Sequence, residues 1–314
     1  MAVSEFSLIK QFFTRPAKNK QTQLSVGDDC ALLSVPEGYE LAVTADTMVE
    51  NVHFFSDVNP EHLGHKLLAV NLSDLASMGA RPIAVTLALT LPSVDEKWLR
   101  SFSKGLFALA DVYGVDLVGG DTTAGPLTLT VQAMGLVKSG EALKRCDAKA
   151  GDLICVTGNL GDAGLGLKFK QGYPVNEPKN ILKQFNMPEP RINEGLGLAQ
   201  VAHACVDISD GLAADLGHVL EVSNVGATLN YDDLPLSADV VTYIKQSNDW
   251  MMPLVAGEDY ELCFTVPPEK LTQLTLQYTC VGVIESCKGL RLNRFGRVAN
   301  FAVQGFDHFK RGNE

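Results

Sequence analysis

"IAVTLALTL", residues 83–91, alternates without a break. Ile83, Val85, Leu87, Leu89 and Leu91 share one parity, and Ala84, Thr86, Ala88 and Thr90 share the other. Period two is the signature of a strand, here with one heavy apolar face and one face of small and threonine side chains. The second face carries no charge, so it is expected to meet another layer or another subunit rather than open water. Outward from this strand the habit recurs: "LTLTVQAMGLV" (127–137) and "YELAVTADT" (39–47) read as two more strands. Two helices lie among them. One starts at Asn59 with Pro60 at the first helical position and stops near Gly79, before Pro82. The other starts after Ser93, carries Trp98, Leu99, Phe102, Leu106 and Leu109, and ends at Tyr113-Gly114.

"CDAKAGD" (146–152) is polar and turn-like, a natural boundary. A second strand–turn–helix cycle follows in "DLICVTG" and "NLGDAGLGLKF". After a loose segment with four prolines (174–190) come "ACVDISDGLAADLGHVL", "GATLNYDDL", "GEDYELCFTV" and "YTCVGVIE". The expectation is an α/β chain of two domains, 1–147 and 148–314.

The formal net charge of −11 argues against nucleic acid or an anionic membrane as the main partner. It also means that a phosphate ligand needs a cation to reach the protein. Seven cysteines form no C-x-x-C pair, and Cys155, Cys205 and Cys263 lie in apolar runs, as small core residues do. Their odd number implies reduced thiols and a cytoplasmic home. The opening residues lack an apolar stretch of signal-peptide length; Phe6, Leu8, Ile9, Phe12 and Phe13 fit one face of a short helix. Pro82 to Val94, the longest uncharged run, is too short to span a membrane.

The acids are distributed in a telling way. "AVNLSDLASMGA" (69–80) reads as one side of a buried helix, yet Asp74 sits in its middle. A carboxylate there is costly to desolvate unless a cation or donors meet it. Four further apolar segments end on acids beside small residues: "VGDDCALL" (26–33), "TADTMVENVHF" (44–54), "VGGDTT" (118–123) and "VDISDGL" (206–212). Each has a plain alternative: Asp28-Asp29 and Asp121 suit turns, Asp46 a strand end, and Ser209-Asp210 a helix cap. As a set they suit Mg²⁺, which combines a few carboxylates with water and substrate phosphate. No H-E-x-x-H, Cys/His zinc spacing or EF-hand loop competes. His62 and His65 lack further ligands, and surface positions explain them. "TGNLGDAGLGL" (157–167) offers either amides for an anion or a turn packing a helix close to a sheet. There is no G-x-x-x-x-G-K-[ST].

Taken in order, "SVGDDCALL", "TADTMVENVHF", "AVNLSDLASMGARP", "LVGGDTT", "DISDGLAADLGH" and "GEDYELCF" resemble the thiamine-monophosphate kinase family. That family belongs to the ATP-binding superfamily that includes aminoimidazole ribonucleotide synthetase. The resemblance runs from "EFSLI" (5–9) to "GFDHF" (305–309). It implies a two-domain α/β (α+β) fold whose N-terminal domain lends strands to an intersubunit β-barrel in a homodimer. It implies transfer of the γ-phosphoryl group of ATP to thiamine monophosphate, with several Mg²⁺ ions and ATP as co-substrate. Asp29, Asp46, Asp74, Asp121, Asp207 and Asp210 match metal ligands, with Thr44 assisting. Gly120, Asp121, Arg145 and Ser209 match ATP contacts; His53, Glu258 and Phe306 match the thiamine end. The role of Asp28 stays open. Ala256 stands where the family usually has the first of two glycines. No covalent or general-base residue is expected, because a phosphate monoester with a second pKa of about 6 already attacks as an anion at neutral pH. A hydrogenase-maturation member should end in a reactive Cys, where this sequence reads "FKRGNE". A selenophosphate synthetase should carry a reactive Cys beside a Lys near the start, whereas Cys30 is flanked by Asp29 and Ala31. A non-catalytic metal or nucleotide sensor with the same pocket would show no ATP turnover dependent on thiamine monophosphate.

Overall fold

The alternating stretches become strands at the positions where the sequence shows them. The protein was analysed as a computed structural model that describes residues 5–302 and Gly305. The chain divides into two units: Met1–Leu75 with Ala80–Gly140, and Ala76–Gly79 with Glu141–Glu314.

In the first unit, α1 (Glu5–Phe12) is followed by a small pair, β1 (Thr22–Leu24) and β2 (Leu32–Leu33). Then come β3 (Tyr39–Val49), α2 (Pro60–Ser77), β4 (Arg81–Leu91), α3 (Glu96–Tyr113), β5 (Asp116–Ala124) and β6 (Thr128–Lys138). The sheet order is β3-β6-β4-β5. Its pairs are antiparallel except β4 with β5, which run parallel on either side of α3. In β4 the heavy side chains Ile83, Val85, Leu87, Leu89 and Leu91 are buried. On the other parity Ala88 is exposed and Thr86 and Thr90 are half-buried, although Ala84 is buried too.

Helix α2 is sunk in the unit: Leu63, Leu67, Leu68, Leu72 and Leu75 are at most 2% exposed. Burying each is worth about 1.5–3 kcal/mol relative to leaving it in water. Asn59 caps the helix by accepting the Glu61 amide at 2.9 Å, as Asn59-Pro60 predicts. Helix α3 opens on Asp95, whose carboxylate accepts the amides of Lys97 and Trp98, and closes on Gly114 at φ 66°. The two helices approach backbone to backbone through reciprocal glycines. A Cβ on Gly64 would fall 2.1 Å from the Phe102 carbonyl, and one on Gly105 would fall 1.8 Å from that of Glu61. Helix α1 departs from the expected face. Leu8 and Phe12 are buried, but Phe6 is 81% exposed, since two residues carry it about 200° around the helix from Leu8.

The second unit holds β7 (Leu153–Val156), α4 (Asp162–Lys170), α5 (Lys179–Asn186), α6 (Ile192–Leu198), β8 (Ala204–Asp207), α7 (Leu212–Ser223), β9 (Gly226–Asn230), α8 (Ala238–Ser247), α9 (Met252–Val255), β10 (Leu262–Val266), β11 (Thr279–Glu285), β12 (Gly289–Arg294) and β13 (Arg297–Phe301). Its sheet runs β13-β12-β9-β11-β7-β10-β8. All neighbours are antiparallel except β9 with β12. Ile154, Val156, Val206, Ile208, Leu216, Leu229 and Val281 centre its core. The proline-bearing stretch is less loose than it reads, for it contains α5, anchored by buried Ile181 and Phe185. Cys155, Cys205 and Cys263 are buried, as their apolar runs imply. Among the described residues no helix is long and apolar enough to cross a membrane.

Candidate active site

In the first unit, β3 and α2 bring three oxygen-bearing side chains together. The even positions of β3 turn inward, so Thr44 and Asp46 are half-buried while Val43 and Thr47 are exposed. The Thr44 hydroxyl donates a short hydrogen bond to Asp74 Oδ2. Asn71, one turn before Asp74, accepts the Asp46 amide at 3.1 Å and locks the strand to the helix. Burial, and then the charge of Asp74, push the Asp46 carboxyl up to about 6. Two carboxylates placed this close form a site that a cation would relieve.

The other candidates of this unit stand apart from that trio. Asp29 is exposed in the β1–β2 loop; its amide donates to the Asp28 carboxylate at 2.8 Å, which gives Asp28 a local turn-forming role. Asp121 lies opposite Ala88, in the row that continues to Thr130 and Thr47. Three strand spacings therefore separate β3 from β5, about 14 Å. Gly120, at φ 149°, runs so close to β4 that a Cβ would fall 1.9 Å from the Leu87 carbonyl. His53, in the turn after β3, accepts the Val49 amide on Nδ1 at 3.0 Å. In the neutral ring this leaves the proton on Nε2, so the outer nitrogen is a donor. Among the described residues no three His, Cys, Asp or Glu side chains converge as in an all-protein metal cage. Mg²⁺, which binds by one or two carboxylates and fills its shell with water and substrate phosphate, fits a pair such as Asp46 and Asp74.

In the second unit, Asp207 ends β8 and is buried, and Ser209 and Asp210 form the turn into α7. Neither caps that helix, because Gly211 is the N-cap and makes no side-chain cap bond. The turn is held from within: Asp215 Oδ2 accepts the amides of both Ser209 and Asp210 at 3.0 Å. Burial lifts the Asp215 carboxyl to about 7, and the positive charge of Arg145 acts against that rise. Arg145, itself exposed, is thus a neighbour of the same turn. Phe306 lies outside the described residues; a Cβ on Gly305, just before it, would fall 2.8 Å from the Asp210 carbonyl.

The segment 257–261 runs beside that turn. Glu258 and Tyr260 donate their amides to Ser209 and Ile208 at 2.8 Å, and Ile208 donates to Glu261. Gly257 must be glycine, since a Cβ would sit 2.1 Å from the Ser209 carbonyl. Ala256 is extended at φ −79°, ψ 132°, where alanine is as comfortable as glycine, so the departure from the family pattern costs no strain. Glu258 and Tyr260 are held at φ 71° and 50°, a conformation that costs non-glycine residues of order 1–3 kcal/mol each. Between and after them, Asp259 and Glu261 point inward. Asp259 accepts the Gly161 amide at 2.9 Å at the start of α4. The amide-lined turn in "TGNLGDAGLGL" is therefore filled by the protein's own carboxylate. Glu261 takes a fork from Arg191, Nε at 2.7 Å and Nη2 at 2.6 Å, and the Thr157 hydroxyl at 2.6 Å.

Asp215, Asp259, Glu261, Thr157 and Arg191 escape the sequence reading. The signal that singles out Asp74, an acid among apolar helical positions, applies equally to Asp215. Asp259 and Glu261 show only the period-two pattern of "EDYE". Arg191 follows a proline-rich stretch that reads as loop.

Residues 27–137 match AIR synthase related protein, N-terminal domain, and residues 149–284 match its C-terminal domain. The two units are thus those of an AIR synthase-related protein. Thiamine-monophosphate kinase of Haemophilus influenzae is 45% identical over 99% of both chains. The crystal structure of thiamine-monophosphate kinase from Stenotrophomonas maltophilia K279a superposes with a TM-score of 0.86 at 42% identity, covering 93% of this chain and 98% of that one. A structure of AaThiL complexed with AMPPCP and TMP gives 0.80 at 29% identity, covering 88% and 89%. The chain belongs to the thiamine-monophosphate kinase family.

Proposed function

We propose that the protein transfers the γ-phosphoryl group of ATP to thiamine monophosphate, yielding thiamine diphosphate and ADP. The observation that carries this is likeness along the whole chain, at 45% identity, to a protein of that name. The AaThiL complex with AMPPCP and TMP supports the pairing of co-substrate and acceptor. Residues 1–147 form the nucleotide, metal and dimerisation domain, and residues 148–314 the second α/β domain. The enzyme works in the cytoplasm.

Thr44, Asp46 and Asp74 would hold Mg²⁺, with Asp29, Asp121, Asp207 and Asp210 as further ligands. When bound, the metal supplies neutralisation between two phosphate groups that otherwise repel each other. Gly120, Asp121, Ser209 and Arg145 face the nucleotide. Arg145 adds a permanent positive charge there. His53, Glu258 and Phe306 face the thiamine end, where an acid and an aromatic ring suit a cationic thiazolium. With Nδ1 tied to the Val49 amide, His53 presents a donor and acts in binding rather than as a base. The protein is a homodimer formed by the small-residue face of the first sheet, whose strands enter an intersubunit barrel. Its support is β3, an edge strand with exposed Leu41 and Val43.

Transfer is direct and in line, with no phosphoenzyme. Single-turnover experiments with γ-labelled ATP test it: label should pass to thiamine diphosphate without pausing on the protein. Label trapped on the chain before the acceptor is added, and then chased into product, overturns direct transfer.

A further inference from the structure

Segment 257–261 carries two acids with long-range side-chain anchors. Asp259 is fixed at the mouth of α4 and Glu261 is fixed by the Arg191 fork and Thr157. Tyr260, between these anchors, and Glu258, just before them, adopt left-handed backbone that neither residue favours alone. Their amides are held by the Ser209 and Ile208 carbonyls, and the anchored side chains of Asp259 and Glu261 pin the same segment from its other side.

We propose that Arg191, Glu261 and Asp259 are positioning residues that aim Glu258 at the acceptor, so that this ion pair governs recognition of thiamine monophosphate rather than of ATP. The inference rests on the assignment of Glu258 to the thiamine end. Selectivity follows from how the neighbouring turn is held. Ser209 and Asp210, assigned to nucleotide and metal, keep their own anchor in Asp215. Ser209 also meets Glu258 through one backbone hydrogen bond, but the Asp215 anchor does not run through the Glu261 side chain, so loosening that side chain releases the acceptor side first. The fork is specific: Lys at 191 keeps the charge but cannot make both bonds.

The test is steady-state kinetics of the full-length enzyme with Mg²⁺, varying each substrate with the other saturating. Glu261→Gln and Arg191→Lys should raise KM for thiamine monophosphate about tenfold or more, with KM for ATP within about threefold of wild type. Replacing both partners by Met should recover the thermal stability lost in the single variants, because no buried charge is stranded, yet leave KM for thiamine monophosphate high. A purely structural ion pair predicts the opposite, with recovered stability bringing recovered KM. Should Glu261→Gln fail to fold, Arg191→Lys carries the same expectation. Glu258→Gln is measured alongside. If it raises KM for thiamine monophosphate and the folded Glu261 and Arg191 variants do not, the positioning role is overturned. If Glu258→Gln itself changes nothing, the assignment of Glu258 falls, and the proposal with it.

Discussion

Asp46 and Asp74 stand as close neighbours on β3 and α2, and their proximity has a measurable sign. A carboxyl near 3.8 in the unfolded chain and about 6 in the folded one keeps a proton that the unfolded chain has released. Stability of the metal-free protein should therefore fall as pH rises from about 4 to about 6. Asp46→Asn, which removes the titration, should unfold at nearly the wild-type temperature near the bottom of that window and at a higher one at neutral pH. Thermal scans in the presence of a chelator check this. Asp74→Asn should likewise fold, since the neutral amide is easier to bury, but turnover at saturating Mg²⁺ should drop by on the order of a hundredfold. Near-normal activity would remove Asp74 from the metal site. Asp74 is legible in the sequence because an acid inside an apolar helix demands a reason. Asp215 carries the same signal, but the reading of that segment stops at Asp207, Ser209 and Asp210.

Among the elements, α2 and α3 show what a sequence can disclose. Their ends are written locally, in Asn59-Pro60 and in Tyr113-Gly114. Their crossing is not, because Gly64 and Gly105 acquire meaning only once each faces the other helix's backbone. Gly105→Ala should lower stability by about 1–3 kcal/mol or more through overpacking, despite alanine's better helix propensity. Chemical denaturation with an unchanged slope and a lower midpoint is the expected result. The same distinction explains α5, where flanking prolines masked a short helix whose Ile181 and Phe185 are buried by tertiary packing. It also explains segment 257–261, whose positive φ residues and acids are held by partners far away in sequence, Ile208, Ser209, Arg191 and Gly161.

For the whole molecule, alternation and motif order made the two-part α/β plan readable, while the grouping of side chains was not. Within the first unit Asp46 and Asp74 group with Thr44 while Asp29 and Asp121 lie elsewhere, and in the second unit Asp207 and Asp210 lie at the turn into α7. An edge strand of 11 residues bearing exposed Tyr39, Leu41 and Val43 invites pairing with another chain. Wild-type protein should scatter light as a dimer at micromolar concentration, and Val43→Asp combined with Leu41→Lys should shift it to a monomer. A wild-type monomer would count against the dimer.

Asp259 has one more consequence. A helix mouth already occupied by a carboxylate of the same chain has no room for a free anion, so α4 is closed to phosphate in the native protein. Cutting that side chain back in Asp259→Ala would leave an amide-lined niche shaped for a carboxylate. Formate or acetate should then act as a chemical prosthesis, raising the lowered unfolding temperature along a saturating curve, while chloride at equal ionic strength does not.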